Sequence, residues 1–239
     1  MRKLIVFLTL ITGLVNTYGQ SLDFAIISDK DGFATVRNSK EVNDVNIIDK
    51  LENGFVVNYF EREGFWIAIG YEKNEVQFSG FIFRDRLKEF YDFPEVQGRN
   101  QPAQEFKIFN KNIEIKVTDQ SFNASDHSIK NYSNYKEFIE LIDEKKIYGT
   151  NGNLPEREYK AIEIKVNGVK ILLPKAAIQN LFEPTIEYTT AFFNEKSQTL
   201  YVRADNSDGS GSYAVVWVVE KGKYKQRCIG VAMKFTGVN

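Results

Sequence analysis

The chain has 239 residues, with 31 Lys and Arg against 32 Asp and Glu, 14% aromatic residues, one histidine and one cysteine. This near-neutral balance excludes nucleic-acid binding through a broad basic surface; a lone cysteine excludes an intramolecular disulfide; and a lone histidine excludes a zinc centre built on two or more imidazoles. Length and aromatic content suffice for one large or two small packed cores.

The first segment, "MRKLIVFLTLITGLVNTYGQ", places Arg2 and Lys3 before an apolar stretch from Leu4 to Val15 and then a polar stretch ending in Thr17-Tyr18-Gly19. This pattern predicts a secretory signal peptide over residues 1–19, cut before Gln20. A retained signal anchor is the alternative, but the apolar stretch is shorter than the roughly 20 residues a spanning helix needs. Cleavage takes the 31 basic side chains to 29 against 32 acidic, a net charge of −3. Cys228 lies far from the cut, so no lipid anchor is expected there. The expected location is therefore the periplasm or the outside of the cell, with no membrane span after cleavage.

From residue 23 to 90, "FAIIS", "GFATVRN", "NIIDKLENGFVVNYFE", "GFWIAIGYE" and "SGFIFRDRLKEF" read as short strands separated by turns, with Gly54 at a tight turn. Alternating apolar positions predict a small antiparallel barrel or sandwich. Residues 91–104 carry Pro94, Gly98 and Pro102 among polar residues and read as a linker. Beyond it, residues 105–239 begin with the strand-like "FKIFNKNIEIKVT". In "NYKEFIELIDEKK", Tyr135, Phe138, Ile139 and Ile142 recur at helical spacing. The closing "DEKK" would then place lysines at a helix end, where the dipole favours them. Asn167-Gly168 between two β-rich runs is a hairpin signal, and "PKAAIQNLF" predicts a short helix opened by Pro174. Four strand candidates follow: "TIEYTTAFFN", "QTLYVRAD", "SYAVVWVVE" and "KYKQRCIGVAMKF". The expected fold class is mainly β plus α+β: a small barrel, then a mixed, mostly antiparallel α+β domain.

The order of features in residues 23–90 resembles the bacterial SH3-like family. "ATVR" stands where that family has a strand ending in Val-Arg, "IIDKLENGFVVNYFE" looks like its strand, Gly turn and strand, "GFWIAI" like its Gly-Trp strand, and "SGFIFRDRL" like its closing segment. After Val36-Arg37 the family commonly has a Ser-Gly-Pro type turn, whereas this chain has the longer "NSKEVNDVN", without Gly or Pro. The resemblance implies a cell-envelope binding module for peptidoglycan or an envelope peptide or protein. On that basis Tyr59, Trp66, Tyr71 and Phe83 are candidate groove aromatics, with Arg84 and Arg86 as flanking charges.

"ADNSDGSGSYAVVWVV", residues 204–219, offers a calcium loop, a phosphate cradle or a turn. Counted from Asn206, Asp208 and Ser210 alternate and Gly211 falls sixth, but the twelfth position, where an EF-hand needs Glu, is Trp217. A phosphate cradle must open a helix, and a strand-like run follows instead. The expectation is a hairpin turn. "SGSY", Ser210 to Tyr213, is loosely similar to the Ser-Gly-x-x-Tyr loop of periplasmic lysozyme inhibitors, one residue short, which makes Asp205, Asp208, Ser210, Gly211 and Tyr213 a candidate partner loop.

For nucleophilic catalysis, Cys228 lies in a β-like run downstream of His127, the reverse of the Cys-then-His order of wall peptidases. It reads as a buried small hydrophobe. His127 reads as an exposed loop or helix-start residue, and no Gly-x-Ser-x-Gly elbow accompanies it. A carboxylate glycosidase drawing on Glu156, Glu158, Glu163, Glu183 or Glu187 stays open, since two acids suffice and their separation in space is not legible. No catalytic residue, metal ligand or cofactor is assigned. The leading expectation is an exported, non-enzymatic binding protein; a wall-active glycosidase and an inhibitor or immunity-type protein are the alternatives.

Overall fold

The computed structural model describes residues 22–59, 64–73, 76–102 and 105–231. The predicted signal peptide and the last residues of the final strand candidate lie outside them. Strands β1 (Asp23–Ile27), β2 (Phe33–Arg37), β3 (Ile47–Glu52), β4 (Val56–Tyr59), β5 (Trp66–Lys73), β6 (Val76–Phe83) and β7 (Leu87–Glu89) form one seven-stranded sheet in the order β3-β2-β6-β5-β4-β1-β7. A five-stranded sheet runs β15-β14-β10-β9-β8, from β8 (Gly98–Asn100), β9 (Glu105–Phe109), β10 (Ile113–Ser121), β14 (Arg157–Val166) and β15 (Val169–Leu172). Between β10 and β14 the chain adds a small sheet of β11 (Ile129–Asn131), β12 (Ile139–Ile142) and β13 (Lys145–Lys146). The chain closes with a four-stranded meander, β16 (Thr189–Asn194), β17 (Thr199–Asn206), β18 (Tyr213–Glu220) and β19 (Lys223–Val231).

The α+β expectation for residues 105–239 is corrected here: the structure is 56% strand in four antiparallel sheets, and among the described residues there is no helix of seven residues or more. In "NYKEFIELIDEKK", Ile139 and Ile142 are buried in β12 while Tyr135 and Phe138 are exposed. Asp143 and Glu144 take positive φ of 51° and 61° and turn the chain into β13. The i, i+3 isoleucines meet a bulged pairing with β11 instead of a helix face. A lone helix of this length is marginal in water without a continuous packed stripe, and the cluster available holds only Ile139, Ile142 and Phe182 with Phe122, Ile129 and Ile147 beside it. "PKAAIQNLF" keeps one 3-10 turn, Lys175–Ala177. Asn180 at φ 65° then stops it, and Leu181 and Phe182 make bridges to Tyr148 and Glu158.

Other local signals are realised. Asn167 (φ 51°) and Gly168 (φ 79°) form a two-residue hairpin that pairs Val166 with Val169, the left-handed pair a primed turn requires. Gly54 (φ 85°) turns β3 into β4.

Alternation explains the layering. In β1, Ala25 and Ile27 face inward with Val36, Leu51, Val57, Tyr59, Ile67, Ile69, Tyr71 and Ile82, so the seven-stranded sheet folds around its own core. Phe24 and Ile26 face the other way and join Val56, Phe90 and Phe93 against Phe192, Tyr201, Ala214, Val216, Val218 and Cys228 of the closing meander. The opposite face of that meander, with Leu200, Val202, Val215, Trp217 and Val219, packs on Phe106, Ile108, Ile115, Val117, Ile162 and Ile164 of the five-stranded sheet. Residues 91–102 are threaded into this body: Phe93 and Val96 are buried, and the Val96 amide donates to Ala191 O at 2.9 Å.

One charge cluster lies in the joint. Arg203 on β17 donates through Nη1 to Asp23 Oδ1 (3.2 Å) and Tyr91 Oη (3.2 Å), and through Nη2 to Leu22 O (2.8 Å) and Asp205 Oδ1 (2.9 Å). Because the two larger sheets share the middle meander, we predict a single cooperative thermal transition in calorimetry; two resolved transitions would show independent halves. Arg203→Met removes the cation beside a buried carboxylate and is expected to destabilise by about 3 to 5 kcal/mol. Adding Asp23→Asn should recover part of that loss in urea unfolding, because it removes the charge left behind.

Candidate functional site

The six groove residues expected from the sequence divide by strand parity. Residues an odd number apart on a strand point to opposite faces, so Trp66 and Tyr71 on β5 cannot share a surface. Tyr71 is in the inner core, its hydroxyl donating to Asp49 Oδ2 at 3.0 Å, and burial, with that bond second, raises its pKa. Tyr59, opposite Ile69, is inside with it. Trp66 lies across from Phe83 on the outer face, and the two rings stack with centroids 4.0 Å apart and planes at 25°.

Beside them is an open depression lined by Gly64, Phe65, Phe83, Arg84, Asp85 and Arg86. Phe65, absent from the expected set, is 86% exposed. It precedes the first ladder residue of β5 and so escapes the inward parity of Ile67 and Ile69, while its carbonyl accepts from the Arg84 amide at 2.9 Å. Arg86 is a clamp: its guanidinium pairs with the buried carboxylate of Asp29, while Asp29 Oδ1 accepts from Asp31 N at 2.7 Å. Of the six, Trp66, Phe83 and Arg84 are thus left on or behind an exposed aromatic ledge.

The 204–219 stretch forms the end of β17, a single 3-10 turn at Gly209–Gly211 and β18, a hairpin as expected. Its residues do not converge. Asp205 binds Arg203, Tyr213 is buried with its hydroxyl donating to Phe182 O at 3.0 Å, and Asp208 and Ser210 are exposed at the tip. The base is pinned: Ser207 Oγ donates to Gly149 O at 2.7 Å, and its amide donates to Glu183 O at 3.1 Å. Gly211 is there for space, since a Cβ would sit 2.9 Å from Gly149 O.

A second depression, about 340 Å³, forms where β12, β13 and β14 meet the turn before Asn180. At its wall is His127, which is not the exposed loop residue expected: its side chain is 13% exposed and the ring stacks on Phe122 at 4.6 Å. Nδ1 lies 2.8 Å from Asp143 Oδ2 and Nε2 lies 3.3 Å from Glu158 Oε2. Asp143 Oδ1 also accepts from Ser128 N at 2.9 Å, and Glu158 Oε1 accepts from Gln120 Nε2 at 2.8 Å. The Ser128 amide first, then the His127 ring, outweigh desolvation and hold the Asp143 carboxyl below the usual range. Lys145, Lys160 and Lys175 complete the rim. Sequence reading names Glu158 but misses Asp143 and the lysines, because the loop, hairpin and strand that meet here lie far apart in the chain.

The remaining carboxylates named for a glycosidase are dispersed. Glu163 pairs with Lys116 at 2.5 Å, Glu183 accepts from Glu156 N at 2.6 Å, and Glu187 is exposed. Among the described residues, no group of three or more His, Cys, Asp and Glu could hold a metal ion. Cys228 is buried, and burial pushes its thiol up to about 12. Compared with known proteins, the chain matches no family model, no curated protein and no solved structure.

A carboxyl held low contributes stability that is present above the ordinary carboxylate range and lost as pH falls through the lowered value. Asp143→Asn is therefore expected to be less stable than the native chain at pH 7. The gap should close progressively as pH drops below about 4. Urea midpoints at several pH values measure this, and a pH-independent gap would show that the charge of Asp143 is immaterial.

Proposed function

We propose that this is an exported binding protein of the bacterial cell envelope that holds peptidoglycan on the aromatic ledge of its first sheet. The observation that carries the reading is the exposed Phe65 beside the Phe83–Trp66 stack, bordered by Arg84. Isolated exposed apolar residues need no explanation, but adjoining aromatic rings in one depression are a typical ligand surface. The apolar faces of sugar rings would lie on Phe65 and Phe83. The carboxylates of stem peptides would meet the guanidinium of Arg84, whose planar donors suit carboxylate oxygens. Export rests on the signal-peptide pattern of residues 1–19, and the family reading on the features of residues 23–90 described above.

The test is co-sedimentation of residues 20–239 with insoluble peptidoglycan, with release of soluble fragments measured in parallel. The native chain should be retained without release. Phe65→Ala and Phe83→Ala should each weaken retention about tenfold or more, the usual scale for a central aromatic anchor, with unchanged circular dichroism. Absence of retention would reject the reading, and release of fragments would favour the glycosidase instead.

A further inference from the structure

The depression around His127 has a charge arrangement that packing alone does not call for. Its acids are engaged: Asp143 by the His127 ring and the Ser128 amide, Glu158 by Gln120 and His127, and Asp126 by Asn123 Nδ2 at 3.0 Å. Two of its three lysines are not matched in the same way. The ammonium groups of Lys160 and Lys175 line the depression and make no hydrogen bond or ion pair with the described residues. Lys175 is close enough for its charge to act on Asp143. The formal charges of the lining balance, Asp126, Asp143 and Glu158 against Lys145, Lys160 and Lys175, and the ammonium groups of Lys160 and Lys175 are the ones left open to a ligand.

The walls have a fixed shape. The His127 ring sits between two carboxylates and against Phe122, and Asn180 is held by Lys146 O (2.5 Å) and by Arg227 Nη2 (2.9 Å). Ile142, Leu181 and Phe182 are core residues whose edges reach the floor, and Ile178 adds to them. A depression of 340 Å³ lies at the small end of ligand pockets. Such a site, with a rigid wall, an apolar floor and ammonium groups on flexible stems, matches a compact molecule carrying one oxyanion.

We propose that this depression is a binding site for a small organic oxyanion, carboxylate or phosphate, which Lys160 and Lys175 hold while its apolar body rests on Ile142 and Ile178. The site lies outside the first sheet and stands whether or not the aromatic ledge binds peptidoglycan.

His127 is the sole histidine, so its ring signals give one unambiguous reporter in the wall of the site. The experiment titrates labelled residues 20–239 with sodium phosphate and, separately, sodium acetate, at fixed pH and with ionic strength held by sodium chloride. A saturable shift of the His127 ring signals with either anion, beyond any produced by chloride, is the expected result. Saturation by phosphate alone assigns a phosphate ligand, and saturation by acetate a carboxylate. Lys160→Gln with Lys175→Gln should weaken that binding about tenfold or more. Both lysines are exposed, so the double variant keeps the fold, which the unchanged chemical shifts of the Trp217 indole would verify. Non-saturating shifts shared with chloride, or binding unaffected by the double variant, would overturn the proposal.

Discussion

The whole architecture hangs on a sheet with two apolar faces. In β18, Tyr213, Val215, Trp217 and Val219 belong to the core shared with the five-stranded sheet, and Ala214, Val216 and Val218 to the one shared with the first sheet. Antiparallel sheets commonly leave one face to water and read as alternating sequence. Here neither face of the meander is free, so the strand is written as an unbroken apolar run. Each Val in it contributes roughly 1.5–3 kcal/mol on burial. Trp217 is anchored further by its Nε1, which donates to Ala177 O at 2.8 Å, and by the edge-on ring of Tyr159 at 5.6 Å.

A middle layer of this kind decides where a site can be. Its own surfaces are spent on packing, so Cys228 and Tyr201 are enclosed whatever their chemistry; burial pushes the Tyr201 hydroxyl up to about 12. The places left for ligands are at the periphery. One is the outer face of β5 and β6, and the other is the angle between the small sheet and β14. Both use residues tied to other elements. The Phe65 carbonyl accepts from the Arg84 amide, two residues from the Arg86–Asp29 clamp, and His127 is fixed by two carboxylates and a ring. A binding surface presented by an ordered frame loses less conformational entropy on binding than one on a loose loop.

Local chemistry was legible wherever a turn or a period stood alone. Asn167-Gly168, Gly54 and the four closing strands could be read from the residues, because hairpin turns need left-handed φ and buried strands need β-branched or aromatic side chains. The missed helix shows the limit: spacing of three and four between apolar residues also arises when a bulged strand alternates around a short core. The site divided for the same reason. That Trp66 and Tyr71 face opposite ways was available from their odd separation. The meeting of His127 with Asp143 and Glu158, or of Arg203 with Asp23, depends on contacts across 16 to 180 positions that no local pattern encodes.

The two kinds of cation have divided the work. Arginines are used as struts: Arg37 holds Asn46 Oδ1 at 2.7 Å, Arg86 holds Asp29, Arg157 takes Asp119, Arg203 spans four partners, and Arg227 ties Gln179 O and Asn180. A planar group with five fixed donors suits this role, because it can satisfy carbonyls and carboxylates from different segments at once. A lysine is a point charge on a flexible, strongly hydrated stem and gains little from such a position. In surface strand pairs, such as Lys116 with Glu163 and Lys165 with Glu114, the lysines are matched across the ladder. Lys160 lies on the same strand as Glu163 and Lys165, yet it stands with Lys175 over a concave, half-apolar surface. That placement over a concave surface with an apolar floor is what distinguishes the two lysines of the His127 depression from those on convex, solvated surface.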